Sequence, residues 1–477
     1  MPTCDLLFTH ATLIDGTGAA RRDGALAVSA GRIAAVGDCA GWQAARTIDA
    51  GGRALAPGFI DVHTHDDSAL LADPAMAAKT SQGVTSVIAG NCGISIAPLV
   101  PRHGLPPPLM LLGEAADYRF PTVADYRRAL EAAPPSVNVG LLVGHSTLRA
   151  GAMDDTARAA TGAEIEAMAA ALDQALRDGG LGLSTGLSYP ASRAAPTAEV
   201  VALARVTARH PGALYTTHMR SERDQVVEAV GETLEIGREA AIPVVISHHK
   251  CIGRRNFGKT TVTLGLIDKA LATQDVALDV YPYTASSTVL LPEFVGEAER
   301  IIVTSSQPHP EQARRDLSAI AADWGVSLED AAARLGPATA IYFQMDEADL
   351  RRVLSHPRTM IGSDGIPGPY PHPRLWGSFP RVLGHYAREL GLLTLEDAVR
   401  RMTSLPAAVF GLPGRGVLQA GYAADLVLFD PGRVIDRADY DQPCEPSAGI
   451  DAVYVNGLQV WGPEGASGAA AGQFLHH

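Results

Sequence analysis

Apolar residues follow two different patterns along the chain. From Asp5 to about Pro57 they come in short alternating runs (LLFTHATLI, ALAVSA, RIAAVG, ALAP) broken by DGTG, AGR and GGR turns, which predicts hairpin strands. The far end repeats that texture in GVLQAGYAADLVLFD and in DAVYVNGLQVW, where Asn456-Gly457 suits a two-residue hairpin turn. Between these ends, eight apolar runs (GFIDVHTH, TSVIAGNCG, NVGLLVGHS, GLGLSTGL, ALYTTHMR, PVVISHHK, VALDVYPY, TMIGSDG) alternate with helical stretches such as TGAEIEAMAAALDQALRDG and RDQVVEAVGETLEIGREAA. A crossover after each strand predicts a parallel sheet, and eight such units predict an α/β chain built on a (β/α)8 barrel. Near-continuous apolar strands fit a sheet covered on both faces.

One connection breaks the rhythm. Between Tyr283 and Thr359 lies a segment, residues 284–358, far longer than the ~2 to 6 residues of an ordinary βα loop. It reads as an insertion after strand seven, with helical stretches PEQARRDLSAIAADWG, SLEDAAARLG and DEADLRRVL. Its position suits a lid or specificity element, and a peripheral decoration is the alternative. The Gly/Ala-rich tail GPEGASGAAAGQF is expected to be mobile.

Charge and cysteine content narrow the function classes. The 477 residues carry 52 acidic against 39 basic side chains, a net charge of −13 that argues against nucleic acid as a partner. Only four of the basic residues are lysines (Lys79, Lys250, Lys259, Lys269), so Lys250 inside a strand-end motif is informative. Five scattered cysteines do not resemble a secreted disulfide framework. No basic-then-apolar leader and no membrane-length apolar run appears, so a cytoplasmic location without a membrane partner is expected.

Polar residues then recur at one end of the apolar strands. His63 and His65 close the first strand two positions apart, so alternation points both the same way. Cys92 ends the second strand, His218 the fifth, His248 and His249 the sixth, and Asp364 the eighth. These are the ligand types zinc takes, at the end where barrel enzymes keep their active sites. Alternation puts His248 with Lys250 on one face and His249 on the other, and turns Cys251 away if Lys250 points in. A buried small hydrophobe is the alternative for Cys92. His145 in GHSTLR reads as structural or supporting rather than as a ligand. His10, His103, His309, His476 and His477 read as surface residues.

The chain resembles the amidohydrolase superfamily of metal-dependent hydrolases, and within it the N-acyl-D-amino-acid deacylases. The resemblance rests on APGFIDVHTHDD, GNCG, GHSTLR, STGLSYP, THMRSE, SHHK, YPY, GSDG, HPRLWGSF and GVLQAGYAADLVLFDP, which together span nearly the whole chain. It implies that residues 1–57 and 412–477 combine into one small β domain beside a barrel of residues 58–411. It also implies a tightly held zinc on Cys92, His218 and His248, with His63, His65 and Asp364 around a second position, weaker or empty. The Cys92 thiolate would bridge in place of the carboxylated lysine of many relatives.

The expected reaction is zinc-dependent hydrolysis of the amide bond of N-acyl-D-amino acids, small-molecule substrates with a free α-carboxylate. Asp364 would move the proton as general base and then acid. Lys250 would polarise the scissile carbonyl. Arg374 would pair the α-carboxylate, with Tyr281, Ser287 and Tyr189 as hydroxyl donors by family analogy; an exposed arginine is the alternative for Arg374. The D preference rests on the resemblance alone. A cyclic-amide hydrolase of the hydantoinase or dihydroorotase type is the rival activity, disfavoured by the missing bridging lysine, and a zinc that only staples the barrel is the non-enzymatic rival. The insertion opens with Ser287 to Phe294, which holds no basic residue, and Glu293 would repel a second carboxylate if it faced inward. Apolar D-amino acids are therefore expected as better substrates than D-glutamate or D-aspartate, unless Arg149, Arg220, Arg254 or Arg255 reaches in.

Overall fold

The structure is a computed structural model that describes every residue except 103, so the surface reading of His103 lies outside the described residues. Eight parallel strands form the central sheet: β1 (Phe59–Asp61), β2 (Val84–Ala89), β3 (Asn138–Gly144), β4 (Gly182–Gly186), β5 (Leu214–His218), β6 (Val244–Ile246), β7 (Val276–Val280) and β8 (Thr359–Ile361), each hydrogen-bonded to the next in chain order. No ladder joins β1 to β8 among the described residues. Beyond their ends, a parallel bridge between Thr64 and Gly365 closes the ring, together with a 2.8 Å hydrogen bond from the Asp364 N–H to the His63 carbonyl.

The barrel interior is filled by Ile60, Ile88, Leu142, Leu181, Leu214, Val245, Ala277 and Met360, one from each strand or its approach. Close packing here makes the barrel a solid core rather than a pore. The predicted crossover helices are present. Gly162–Arg177, for example, starts at a capping box in which Thr161 accepts from the Glu164 N–H and Glu164 accepts from the Thr161 N–H, and it buries Met168, Leu172, Ala175 and Leu176.

Both chain ends meet in one mixed sheet of nine strands. Its seam is Ala54–Pro57 against Leu426–Phe429, antiparallel, with Leu55 opposite Leu428. Phe8, Leu26, Leu55, Leu426 and Tyr454 form its apolar core, Phe8 standing edge-on to Tyr454 at 5.3 Å.

The structure adds to one expectation and corrects two. The insertion has its expected helical stretches and also a sheet: Ala285–Val289, Arg300–Ser306 and Ala338–Phe343 pair antiparallel with the last strand in the middle. The β-branched runs SSTV, RIIVT and AIYF carry that signal. Its final helix, Glu347–Ser355, packs on Thr260–Ala270, β7 and β8, so it is the crossover helix of the seventh barrel unit. The tail is docked rather than free: Phe474 bridges to Val139, and Leu475 joins Leu405, Phe410 and Leu412 in closing the lower end of the barrel. No helix among the described residues is long and apolar enough to cross a membrane.

Candidate metal centre and substrate cavity

His218 is the last paired residue of β5, and the other donor residues at the barrel mouth lie beyond the paired part of their strands. β2 ends at Ala89, β6 at Ile246 and β8 at Ile361, and the chain then turns through left-handed backbone at Cys92 (φ 53°), His248 (φ 34°) and Asp364 (φ 48°). Non-glycine residues rarely adopt this conformation, at a cost of about 1 kcal/mol or more each. Here it turns all three side chains toward one point. β1 likewise ends at Asp61, before His63 and His65, so turns past the strand ends rather than pleat alternation aim these groups.

Two donor sets result, His63, His65, Cys92 and Asp364 in one, and Cys92, His218 and His248 in the other. Cys92 belongs to both. Its Sγ lies 3.3 Å from His63 Nε2, 3.3 Å from His248 Nε2 and 3.8 Å from His218 Nδ1. His218 Nδ1 and His248 Nε2 are 2.9 Å apart, and His65 Nε2 is 3.1 Å from Asp364 Oδ1. All six side chains are buried. Burial alone would push the Cys92 thiol up; the charges of His63 and His248, with hydrogen bonds from His218 and His248, hold it well below its usual range. Burial also opposes the charge of Asp364, but Arg374, His63 and the hydrogen bond from His65 keep its carboxyl well below the usual carboxylate range. Imidazole nitrogens and a thiolate converging this closely form a soft donor set that fits zinc.

His249 turns outward to Thr263 Oγ1 at 2.8 Å, and Cys251 is buried outside both sets. His145 pairs with Glu199 at 2.9 Å, a structural role. Of the remaining histidines, His10, His476 and His477 are exposed and His309 is partly covered by Trp324.

Two carboxylates escaped the sequence reading. Glu222, four residues after His218, lies 2.6 Å from Lys250 Nζ and 3.0 Å from His248 Nδ1. With Nδ1 directed at Glu222, Nε2 of His248 is the ring nitrogen turned toward Cys92, the arrangement that orients a ligating histidine. Asp279 lies 3.2 Å from His63 Nδ1 and accepts the His248 N–H at 2.8 Å. Its signal was a charge in the middle of the apolar run VALDVYPY. Beneath them, Lys79 ties Asp61 at 2.8 Å and Asp66 at 3.2 Å, fully buried.

A cavity of about 290 Å³ opens above the donors, walled by Tyr189, Lys250, Tyr281, Ser287, Phe294 and Tyr342 among others. Lys250 is therefore on the wall, but as half of an ion pair with Glu222 rather than as a free charge. Tyr189 hydrogen-bonds Thr288 Oγ1 at 2.9 Å. Arg374 is neither exposed nor in a loop: it begins the helix Arg374–Arg381, fully buried, with Nη1 2.8 Å from Asp364 Oδ2, Nη2 2.9 Å from the Ser287 carbonyl and its plane over Tyr281 at 4.4 Å. Its Nε and Nη1 make no hydrogen bond among the described residues. Of the arginines considered for the side-chain pocket, Arg149 is buried against Glu199, while Arg254 and Arg255 are exposed and paired to Glu299, Asp224 and Glu297.

A parallel eight-stranded barrel with histidines, a cysteine and an aspartate converging at the strand ends defines the class of barrel metal-dependent hydrolases. The chain matches the Amidohydrolase family over residues 46–329 and 292–461. It is 53% identical to the D-aminoacylase of Alcaligenes xylosoxydans xylosoxydans over 99% of this chain and 97% of that one, and 52% identical to the N-acyl-D-aspartate deacylase of the same organism over 99% and 95%. A crystal structure of N-acyl-D-glutamate deacylase from Bordetella bronchiseptica, complexed with zinc and a phosphonate mimic of the tetrahedral intermediate, superposes with a TM-score of 0.96 at 48% identity, covering 100% of both chains. This chain belongs to the amidohydrolase family, in its N-acyl-D-amino-acid deacylase branch. Overall identity is nearly equal to relatives named for three different substrate classes, so it does not choose a side chain.

Proposed function

We propose that this chain is a zinc enzyme that hydrolyses N-acyl-D-amino acids to a D-amino acid and a carboxylate. The observation that carries this reading is Cys92, shared by two buried donor sets and adjoining Asp364 under a cavity of small-molecule size. Cys92, His218 and His248 would hold the tight metal, and His63, His65 and Asp364 would line a weaker second position beside Cys92. When bound, the metal supplies Lewis acidity and lowers the pKa of water toward ~7.

The protein's own groups do the rest. Asp364, held ionised beside Arg374, accepts a proton from the attacking water and delivers it to the amide nitrogen as the C–N bond breaks. Glu222 and Asp279 fix the rings of His248 and His63. Lys250, ion-paired with Glu222, presents its ammonium on the wall beside the scissile carbonyl. Arg374, ion-paired with Asp364 through Nη1 and with its Nε–H still lacking an acceptor, anchors the α-carboxylate with the hydroxyls of Tyr281, Ser287 and Tyr189. The test is a kinetic panel of N-acetyl D- and L-amino acids on zinc-loaded enzyme with a chelated control. Turnover of D-isomers that chelation abolishes is the expected result; L-selective or chelator-insensitive turnover overturns the reading.

A further inference from the structure

The wall of the cavity is built partly from the insertion, whose lining residues include no basic one, and partly from the loops after β4 and β5, which bring in arginines. Three arginines reach the cavity: Arg193, Arg220 and Arg223. Two are already neutralised. Arg193 lies 3.0 Å from Glu293 Oε1, so Glu293 does border the cavity but with its charge answered. Arg220 donates to Glu232 at 2.8 and 2.9 Å and to the Arg193 and Ala195 carbonyls at 3.1 and 3.0 Å.

Arg223 differs. No carboxylate among the described residues lies within ion-pair distance of its guanidinium, and its buried Nε has no acceptor. The guanidinium lies over the Phe294 ring at 4.8 Å, and such stacking holds its plane while leaving its N–H edge for a ligand. Glu293, already ion-paired with Arg193, answers the charge of Arg223 only from beyond ion-pair distance, so a carboxylate can still meet the guanidinium bidentately. Lys250 and Arg374 already stand beside the reacting end of the substrate, so the carboxylate left for Arg223 is a second one.

We infer that Arg223 pairs the side-chain carboxylate of the substrate and makes the enzyme selective for acidic N-acyl-D-amino acids. This rests on the deacylase reading and reverses the apolar preference expected from the insertion: that expectation considered Arg220 on the β5 loop but not Arg223.

The experiment compares kcat/KM for N-acetyl-D-glutamate, N-acetyl-D-aspartate, N-acetyl-D-leucine and N-acetyl-D-methionine in the zinc-loaded wild type, Arg223→Met and Arg223→Lys. The wild type should favour an acidic substrate by about tenfold or more. Arg223→Met, which keeps the contact with Phe294, should lower kcat/KM for that substrate about a hundredfold while leaving D-leucine within about threefold, and Arg223→Lys should restore part of the loss. A wild type that turns over D-leucine better than both acidic substrates overturns the inference by itself, whether or not the variants fold. Equal loss on acidic and apolar substrates in Arg223→Met also overturns it. Absence of turnover on all four removes the deacylase reading and this inference with it.

Discussion

At its lower end the barrel is closed by Leu405, Phe410, Leu412 and Leu475 packed on Ile60, Leu142, Leu214 and Met360, whereas at the mouth the same strands run into Cys92, His248 and Asp364 on left-handed backbone among buried charges. The lower end gains from burying apolar area, roughly 25 cal/mol per Å². The mouth spends part of that gain on strain and on charges taken out of water, groups that cost several kcal/mol each when unpaired. Almost every charge there is consequently paired: Lys79 with Asp61, Lys250 with Glu222, Arg374 with Asp364, Arg149 with Glu199. The difference teaches that the two ends can be disturbed separately, the mouth through chemistry and the base through stability.

Cys92→Ala should have the largest effect. It removes the one ligand atom common to both donor sets, so elemental analysis should find most zinc gone and turnover at background, with the apolar base intact by circular dichroism. Retained zinc with retained activity would take Cys92 out of the centre.

Asp364→Asn comes next. Asparagine tolerates left-handed backbone, so the mouth should keep its shape and its zinc. The proton carrier is lost together with the charge that pairs Arg374, and kcat should fall by ~10² to 10⁴. If zinc-loaded Asp364→Asn turns over within a few-fold of wild type, another group moves the proton.

Glu199→Gln tests whether a charge at the mouth can be purely architectural. Glu199 is buried between His145 and Arg149. Burial works against its carboxylate, but hydrogen bonds and charges from those two residues bring its pKa down to about 2. A depressed carboxylate contributes stability that is present above the unfolded value of ~4.3 and is lost as pH falls through the folded value. At neutral pH the substitution should cost about 3 kcal/mol, because Arg149 is left uncompensated. The gap between variant and wild type should close between about pH 4 and 2. Denaturant titrations at several pH values measure it, and a pH-independent gap would mean that lost packing rather than lost charge is responsible.

Leu475→Ala should be the mildest, about 2 kcal/mol from a cavity at the base, with kcat per folded molecule unchanged. A drop in kcat without a shift in denaturation midpoint would break the separation between the two ends.

Legibility in the sequence follows the same division. Each of the eight apolar runs became a barrel strand, and Cys92, His218, His248 and Asp364 were found because each follows such a run closely, where a polar residue stands out. The sheet inside the insertion was hidden behind helical stretches that are genuine but belong to a mixed unit.

What the chain determines by itself is therefore local: the alternation of apolar runs and amphipathic helices, the capping boxes, and the ligand types at the strand ends. Tertiary structure alone decided the rest. It placed Asp279 behind His63, Glu222 between Lys250 and His248, the tail under the barrel, and Arg223 across from the insertion. The physical reason is that local pattern reports whether a side chain is buried, while its partner and the cavity it faces are set by which distant loops the closed barrel brings to the same rim.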